Sequence, residues 1–286
     1  MKKLGIDIGG TAVKIGFFSG GDLLECKRYT DVDSLKSFSE LLTHNDITDF
    51  IDDSFVGIGV GVPGVVSDNR VQSCPNIAWL EKADLISELS NAHGEDYQYG
   101  IDNDANLAAL GEAVNGAGSE HPTFAFITIG TGIGGGLIID GKVFHGPGGM
   151  AGEIGHIATG HGLACNCGAI GCVEAIASAT NIEKRAAGKP LPEIIAAAKD
   201  GDHASLQLLQ ESGAALGETI SQIALLTDIR VFIFGGGGAP CLEMWMPHIN
   251  EVINSRCFGR NANDFVITQA SLGNDAGVCG AAALVG

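Results

Sequence analysis

The segment Ile101-Asp-Asn-Asp-Ala-Asn106 concentrates side chains that could do acid–base chemistry, between a strand-like run and an Ala/Leu-rich run. A carboxylate at such a junction can accept a proton from a substrate hydroxyl. We take Asp104 as the candidate general base. Its alternative is a plain helix N-cap, a role that the same residue could combine with the first. Spacing alone leaves Asp102 and Asn106 open as further alternatives.

Two glycine-rich turns between strand-like runs could bind phosphate. The first lies in Asp7-Ile-Gly-Gly-Thr-Ala-Val-Lys14 and the second in Thr128-Ile-Gly-Thr-Gly-Ile-Gly-Gly-Gly136. Such turns expose backbone N–H groups, which bind phosphate oxygens without formal charge. Asp7 could also hold Mg²⁺, directly or through water. The second turn contains Gly-x-Gly-x-x-Gly, but a strand-like run follows it instead of the helix that a dinucleotide-binding fingerprint requires.

A third glycine run follows a buried-type strand in Val231-Phe-Ile-Phe-Gly-Gly-Gly-Gly238. Bare backbone at the end of a strand would let a flat group such as adenine approach closely. A flexible turn explains this run equally well when it is taken alone.

One histidine and three cysteines have residue types that suit a metal site. Gly152-Glu-Ile-Gly-His156 is followed by Cys165-Asn-Cys-Gly-Ala-Ile-Gly-Cys172-Val-Glu174. These types fit a tetrahedral Cys₃His zinc site, although Cys-x-Cys is tighter than the commoner spacing. Four protein ligands would leave no open position, so the zinc would be structural and would fix the loop that presents the nearby carboxylates. A group of free thiols is the alternative, and His161 could compete as a ligand.

The remaining cysteines and histidines show no grouping along the chain. The cysteines are expected to be small core residues: Cys26, Cys74, Cys241, Cys257 and Cys279. The histidines are expected at the surface or in packing: His44, His93, His121, His145, His203 and His248.

Composition restricts the class of function. The chain has 286 residues, 45% of them hydrophobic, and a formal net charge of −18. A chain of this length and hydropathy can bury a sizeable core, so disorder is excluded. Acidity without a Lys/Arg cluster argues against nucleic acid and anionic membrane surfaces as partners. No apolar stretch is long enough for a membrane span or a signal-peptide core, so we expect a cytoplasmic protein with reduced cysteines.

Glycine is unusually frequent, with 43 residues in the chain, against about 7% in an average protein. No collagen-like period accompanies this excess. Many tight turns or close backbone approaches are therefore expected.

Strand and helix patterns alternate along the chain, which predicts an α/β class with packed layers. Residues 4–18 and 124–141 each read as strand, glycine turn and strand, the last strand resuming at Leu137. These two similar units, about 120 residues apart, indicate a duplicated architecture. Further strands are expected over 55–66, 97–102, 230–234 and 265–268, and helices over 35–42, 84–92, 105–114, 206–226, 246–257 and 277–285.

Together these motifs resemble those of the ROK family (repressors, open reading frames, kinases) of sugar kinases, over essentially the whole chain. The joint pattern is Asp7-x-Gly-Gly-Thr-x-x-Lys14, Asp102-Asn-Asp-x-Asn106, Gly152-Glu-x-Gly-His156 and Cys165-x-Cys-Gly-x-x-Gly-Cys-x-Glu174. The resemblance implies two actin-like (ribonuclease H-like) α/β lobes around a cleft, with a zinc-stabilised loop. We expect residues 1–104 plus 273–286 to form a small N-terminal lobe and residues 105–272 a large C-terminal lobe.

The resemblance also implies ATP- and Mg²⁺-dependent phosphorylation of a hexose hydroxyl, usually the 6-hydroxyl, with Asp104 as the catalytic base. The residues that match the family's sugar-binding positions are Gly64, Asn103, Asp104, Glu153, His156 and Glu174. Those that match its nucleotide and Mg²⁺ loops are Asp7, Gly9, Gly10, Thr11, Lys14, Thr131, Gly132, Gly235, Gly236 and Gly237. Those that match its zinc ligands are His156, Cys165, Cys167 and Cys172.

Members of this family differ in their substrates. The spacing Cys165-x-Cys-Gly-x-x-Gly-Cys172 favours the group that acts on glucose and N-acetylhexosamines. Glucokinase is the first expectation, with N-acetylglucosamine or N-acetylmannosamine kinase as the alternative. Only Met1–Ile6 precede Asp7, which argues against the helix-turn-helix of the family's repressors.

Two hypotheses from other classes remain. One is a sugar-sensing protein without catalysis, against which Asp104 and both phosphate turns argue. The other is an actin-like ATPase, for which the zinc loop would have no purpose. The partners implied by the resemblance are the sugar, ATP and a second copy of the chain in a homodimer.

Overall fold

The computed structural model describes residues 1–286. Its strands are β1 (Lys2–Ile8), β2 (Val13–Ser19), β3 (Asp22–Tyr29), β4 (Phe55–Val62), β5 (Val65–Ser67), β6 (Arg70–Ser73), β7 (Gln98–Asn103), β8 (Phe124–Ile129), β9 (Ile133–Ile139), β10 (Lys142–Val143), β11 (Val231–Gly235) and β12 (Val266–Gln269). Its α-helices are α1 (Leu35–Leu42), α2 (Asn45–Thr48), α3 (Leu85–His93), α4 (Asp104–Asn115), α5 (Val173–Ala177), α6 (Ala179–Arg185), α7 (Leu191–Lys199), α8 (His203–Thr227), α9 (Leu242–Arg256) and α10 (Ala276–Ala283). The mixture confirms the α/β class.

The chain divides into two compact units. Unit 1 contains Met1–Glu120, Gly141–Ala151 and Leu272–Gly286, and unit 2 contains His121–Asp140 and Gly152–Ser271. This division places α4 in unit 1, whereas the lobe boundary expected from the sequence lies at its first residue. The physical reason is the extensive packing of α4 against α10.

Unit 1 is built on a sheet with the strand order β3-β2-β1-β4-β7. The first hairpin pairs β1 and β2 antiparallel, whereas β4 is parallel to both β1 and β7. Its core contains fully buried aliphatic side chains such as Leu4, Ile6, Ile58 and Val60. The sequence patterns did not predict β3, because this edge strand is largely polar and exposed.

Glycines bring α10 unusually close to its neighbours in unit 1. A Cβ atom at Gly5 in β1 or at Gly59 in β4 would lie less than 3.0 Å from a backbone oxygen of α10. Where α10 crosses α4, a Cβ at Gly111 or Gly280 would likewise lie less than 3.0 Å from the backbone oxygen of the facing helix. These glycines serve close packing, one of the two explanations that the composition suggested.

Unit 2 repeats this arrangement, with its strands ordered β9-β8-β11-β12. Here β8 and β9 form the antiparallel hairpin, and β11 is parallel to both β8 and β12. A strand hairpin followed by parallel strands therefore occurs in both units, which confirms the duplication indicated by the sequence.

The second hairpin differs from the sequence prediction in one respect. Strand β9 begins at Ile133 instead of Leu137, so that Gly134, Gly135 and Gly136 are paired with β8. A Cβ at Gly135 would lie less than 3.0 Å from Ile154 and from the backbone oxygen of Gly152. The glycines are thus strand residues that admit a close neighbour.

The long helix α8 forms much of the core of unit 2. Leu209, Leu216, Ile220 and Ile223, the face predicted from helical spacing, are all buried. Helix α9, packed against α8, begins at Leu242 instead of the predicted Met246. None of the helices is both long and apolar enough to cross a membrane.

Candidate active site

Asn103 and Asp104 lie where β7 gives way to α4. Asn103 is the N-cap, because its side-chain oxygen accepts hydrogen bonds from the backbone N–H groups of Ala105 (2.9 Å) and Asn106 (3.2 Å). Its amide nitrogen donates to the carbonyl oxygen of Gly64 at 3.1 Å. The plain N-cap interpretation of Asp104 is therefore wrong: Asp104 is the first helical residue, half-buried.

Asp102 is buried behind this junction, and three hydrogen-bond donors surround its carboxylate. Its Oδ1 accepts from the backbone N–H of Asn103 (2.7 Å) and from Nδ2 of Asn106 (3.1 Å). Its Oδ2 lies 2.6 Å from Nε2 of His145. Because Asp102 and Asn106 are bound to each other in the interior, Asp104 is the better candidate base of the three alternatives.

His145 was expected at the surface or in packing, and it is exposed, but it also has a partner that the sequence did not indicate. Its imidazole is half-exposed, but Nε2 pairs with the buried carboxylate of Asp102. A buried carboxylate is costly unless it is paired and hydrogen-bonded. The pair was missed because the two residues are far apart in the sequence and carry no shared motif.

The first glycine turn joins β1 to β2. It is closed by the hydrogen bond from the backbone N–H of Gly9 to the carbonyl oxygen of Ala12 (3.0 Å), and Gly9, Gly10 and Thr11 are exposed. Asp7 and Lys14 are paired across the hairpin, with Lys14 Nζ 3.6 Å from Asp7 Oδ2.

Asp7 has the environment of a cation ligand. Burial raises the pKa of its carboxyl group, and the neighbouring Lys14 ammonium opposes this effect. One carboxylate beside an exposed glycine turn is the kind of donor that Mg²⁺ can use together with substrate phosphates. These residues therefore fit a Mg²⁺ ion.

The second glycine turn joins β8 to β9 in unit 2. It is closed by the hydrogen bond from the backbone N–H of Gly130 to the carbonyl oxygen of Gly132 (2.9 Å). The carboxylate of Glu174 accepts from the backbone N–H of Ile133 at 2.9 Å. Thr131 is exposed at the tip of the turn. The structure thus places Thr131, Gly132 and Glu174 together.

The third glycine run is an ordered loop at the end of β11. The backbone N–H of Gly238 donates to the carbonyl oxygen of Ile129 at 2.8 Å, which places the loop against the end of β8. Gly236 has a left-handed φ of 76°, a conformation that favours glycine. A Cβ at Gly237 would meet no atom within 4 Å, so the backbone there is open. Gly235 is the last residue of β11.

The four expected zinc ligands converge. One ligand atom from each of His156, Cys165, Cys167 and Cys172 lies within 4.8 Å of the other three. The sulfur atoms of Cys167 and Cys172 are 3.7 Å apart, and Cys165 Sγ lies 3.9 Å from His156 Nδ1. Such separations suit a tetrahedral zinc ion with bonds of about 2.0–2.3 Å.

The protonation of the thiols in this cluster is uneven. Burial raises the pKa of Cys165 and raises that of Cys172 to about 12. The backbone N–H of Ala169 lowers the pKa of Cys167. A metal ion that binds thiolates would therefore have to displace protons from the two buried cysteines.

His161 does not compete for this metal position. Its Nε2 lies 3.0 Å from the carbonyl oxygen of Cys172, and its Nδ1 accepts from the backbone N–H of Leu163 at 3.1 Å. Both ring nitrogens are thus engaged with the backbone of the loop.

Glu153 precedes a short 3₁₀ turn, Ile154–His156, and His156 ends it; both side chains are exposed. The turn packs closely on β9, since a Cβ at Gly155 would lie less than 3.0 Å from the backbone oxygen of Ile133. The two polar side chains are therefore presented by a fixed segment.

The scattered cysteines mostly follow the expectation. Cys74, Cys241, Cys257 and Cys279 are buried, but Cys26 is exposed on β3. The core assignment of Cys26 is wrong because the sequence patterns did not predict that edge strand.

Comparison with known proteins decides the family. The ROK family model matches residues 3–286. The chain belongs to the ROK family. A glucokinase of Halalkalibacterium halodurans is 30% identical to this ROK protein over 318 residues, with 99% of this chain and 94% of that protein covered. An N-acetyl-D-glucosamine kinase of Histophilus somni is 32% identical over 306 residues, with 98% and 97% covered.

A solved structure extends the comparison to the fold. The ROK family glucokinase from Streptomyces griseus, in complex with glucose and AMPPNP, is 29% identical to this ROK protein, with a TM-score of 0.79. The match covers 100% of this chain and 99% of that chain. The family and the fold implied by the sequence motifs are therefore confirmed.

Proposed function

We propose that this ROK protein is an ATP-dependent hexose kinase that phosphorylates the 6-hydroxyl of a sugar, with glucose as the first candidate. The observation that carries the proposal is the junction of β7 and α4, where Asn103 is anchored to Gly64 and Asp104 remains partly open to solvent. The glucokinase relatives support glucose as the substrate.

Asp104 would act as the general base. A sugar hydroxyl is a poor nucleophile, so a carboxylate must accept its proton as the new bond to the γ-phosphorus forms. Asn103 caps the helix and is bound to Gly64, which fixes the backbone that carries Asp104. Asp102 is a poorer candidate because it is buried and its carboxylate accepts three hydrogen bonds.

Phosphoryl transfer depends on positioning and on neutralising charge. The amides of Gly10 and Thr11 in the first turn and those of Thr131 and Gly132 in the second would bind phosphate oxygens. Gly9, whose N–H closes the first turn, would shape that turn. Mg²⁺, held through Asp7, would supply positive charge to the phosphates. Gly237, whose backbone is open, would let the adenosine approach closely, and Gly235 and Gly236, which pack against β8, would position the loop.

The residues proposed to contact sugar in unit 1 are Gly64, Asn103 and Asp104. Those proposed in unit 2 are Glu153, His156 and Glu174. A structural Zn²⁺ on His156, Cys165, Cys167 and Cys172 would fix the loop that carries the second group. His156 would serve both the metal and the sugar through its two ring nitrogens.

The alternative activity is phosphorylation of an N-acetylhexosamine. The N-acetyl-D-glucosamine kinase relative, 32% identical, supports this alternative. The two differ in whether the pocket admits a 2-acetamido group.

A coupled assay of ADP release tests the proposal. The purified protein is supplied with MgATP and, in turn, glucose, N-acetylglucosamine, N-acetylmannosamine, mannose and fructose. Sugar-dependent ADP release is expected, greatest with glucose. Greatest release with an N-acetylhexosamine would establish the alternative, and equal release with and without sugar would overturn the kinase assignment in favour of an ATPase.

Asp104→Asn tests the role of the base in the same assay. We expect kcat to fall about 10²–10⁴-fold, because the proton acceptor is lost, whereas glucose binding measured by calorimetry persists. Asp53→Asn, at an exposed residue, is the matched control and should keep full turnover. Near-normal turnover by Asp104→Asn would refute the assignment.

A further inference from the structure

We infer that Glu174 and the backbone N–H of Ala179 are positioning groups for the second glycine turn, Gly130–Ile133, and so set the affinity for nucleotide. Glu174 would then serve the phosphate turn in addition to the sugar. This inference rests on the proposed function only in taking the turn as the phosphate site.

Two hydrogen bonds from residues outside the hairpin hold the turn, one at each end. At one end, Glu174 Oε2 accepts from the backbone N–H of Ile133 at 2.9 Å. At the other, the backbone N–H of Ala179 donates to the carbonyl oxygen of Gly130 at 2.9 Å. Because these two bonds flank the amides of Thr131 and Gly132, they constrain where those amides point.

The segment that makes these two bonds is itself well anchored. The carbonyl oxygen of Glu174 accepts from the backbone N–H of Ser178 (3.2 Å) and from Nδ2 of Asn181 (2.9 Å). Ser178 is fully buried, and its hydroxyl caps α6 by accepting from the backbone N–H of Asn181. Residues 174–179 therefore form a well-anchored segment that holds the turn in place.

Gly132 shows how closely the carboxylate approaches. A Cβ at this position would lie less than 3.0 Å from Glu174 Oε2. The other carboxylate oxygen, Oε1, points toward the cysteine cluster, 3.8 Å from Cys165 Sγ. One oxygen of Glu174 is thus committed to the turn, and the other remains for a different partner.

Ala179→Pro is a selective test of the second bond. Ala179 is the first residue of α6, where proline is well tolerated, and Ser178 has φ −67° and ψ 150°, which suits a residue before proline. The substitution removes the N–H that binds Gly130 and places the proline Cδ in its direction, so the turn must also move away from α6. His203→Pro is the matched control, because His203 is the exposed first residue of α8 and its N–H has no hydrogen bond within the chain.

The first readout is the Kd for AMPPNP with Mg²⁺, measured by calorimetry without sugar. We expect about a five-fold weaker Kd for Ala179→Pro and for Glu174→Ala, since each loses one hydrogen bond to the turn. Glu174→Gln should remain near the wild-type Kd, because its amide oxygen can still accept from Ile133. His203→Pro should equal the wild type. Wild-type Kd values for both Ala179→Pro and Glu174→Ala would overturn the inference.

Hydrogen exchange of the peptide that contains Gly130–Ile133 is a second readout, and it requires no ligand. Exchange should be faster in Ala179→Pro and Glu174→Ala than in Glu174→Gln and His203→Pro. Unchanged exchange in the first two would also overturn the inference. A protein that binds no nucleotide but shows this exchange pattern would instead overturn the proposed function alone.

Discussion

Asp102 shows how a single buried carboxylate organises the residues around it. Its two oxygens receive hydrogen bonds from the backbone of Asn103, the side chain of Asn106 and the ring of His145. The first two donors belong to the start of α4, and the third belongs to Gly141–Ala151, a separate segment of unit 1. The charge is thus compensated by groups that also define the position of Asp104.

His145→Leu should destabilise the protein. The substitution removes one donor from a buried carboxylate, which typically costs about 1–3 kcal/mol. The free energy of unfolding from urea titration measures this loss. His145→Gln, whose amide can donate in place of Nε2, should lose less, and His203→Leu, at an exposed histidine, should lose almost nothing. Equal stability of His145→Leu and His203→Leu would contradict the prediction.

At the scale of single residues, the sequence predicted best those groups that lie within one short motif. The four expected zinc ligands lie within a compact pattern, so residue type and spacing indicated a group that the structure brings together. For the candidate base, spacing alone left Asp102 and Asn106 open beside Asp104. The pairing of Asp102 with His145 could not be found in this way, because it forms only after two distant segments fold together. The N-cap was assigned to Asp104 instead of Asn103 because both residue types favour that position.

Helices α4 and α10 illustrate what decides packing at the scale of elements. Helix α10 is rich in alanine and glycine, so it has no polar face and no apolar stripe to predict its neighbours. Its close contacts are possible because glycines lie where the backbones meet. These are Gly5 and Gly59 in the sheet, and Gly111 and Gly280 between the helices. Backbones pack directly against one another there.

Gly280→Ala should therefore destabilise unit 1, although alanine favours a helix by about 1 kcal/mol. The new Cβ would lie less than 3.0 Å from the backbone oxygen of Leu107, which cannot move aside as a side chain could. Overpacking of this kind costs about 1–3 kcal/mol, so the melting temperature should fall. Gly162→Ala, where a Cβ meets nothing within 4 Å, is the control. A stability of Gly280→Ala at or above that of the control would contradict this view.

Elements with strong periodicity were predicted closely from the sequence, and others were not. The bounds of α1 agree with the prediction, and so does the buried face of α8. Strand β3 was missed because it is polar at the sheet edge, and the start of β9 was misplaced because its glycines read as a turn. In both cases pairing with the neighbouring strand, and not the local sequence, determines that the segment is a strand.

The molecule as a whole is strongly acidic, with a net charge of −18. A polyanionic ligand would be repelled by this field at long range. The two hairpin turns would suit such a chain, since uncharged amides can bind phosphate without lysine or arginine clusters. The duplicated hairpin thus gives each unit one such turn.

Zinc should contribute to the stability of the whole protein. The binding free energy of a structural metal is part of the folding free energy, so a strong chelator should lower the melting temperature. Elemental analysis of the purified protein should find about one zinc per chain, as a closed Cys₃His site requires. Cys172→Ser should lose this zinc, whereas Cys26→Ser, outside the cluster, should keep it. A wild-type protein free of zinc after growth in zinc-containing medium would refute the site.

The discontinuity of unit 1 affects the order in which the protein can fold during synthesis. Unit 1 begins at Met1 but is completed by Leu272–Gly286, whereas unit 2 ends at Ser271. The glycine-lined surfaces of β1 and β4 therefore remain uncovered in the nascent chain until α10 leaves the ribosome. Domains usually fold in their order of translation. Here the synthesis of unit 1 begins first but ends last. All residues of unit 2 are therefore synthesised before unit 1 is complete.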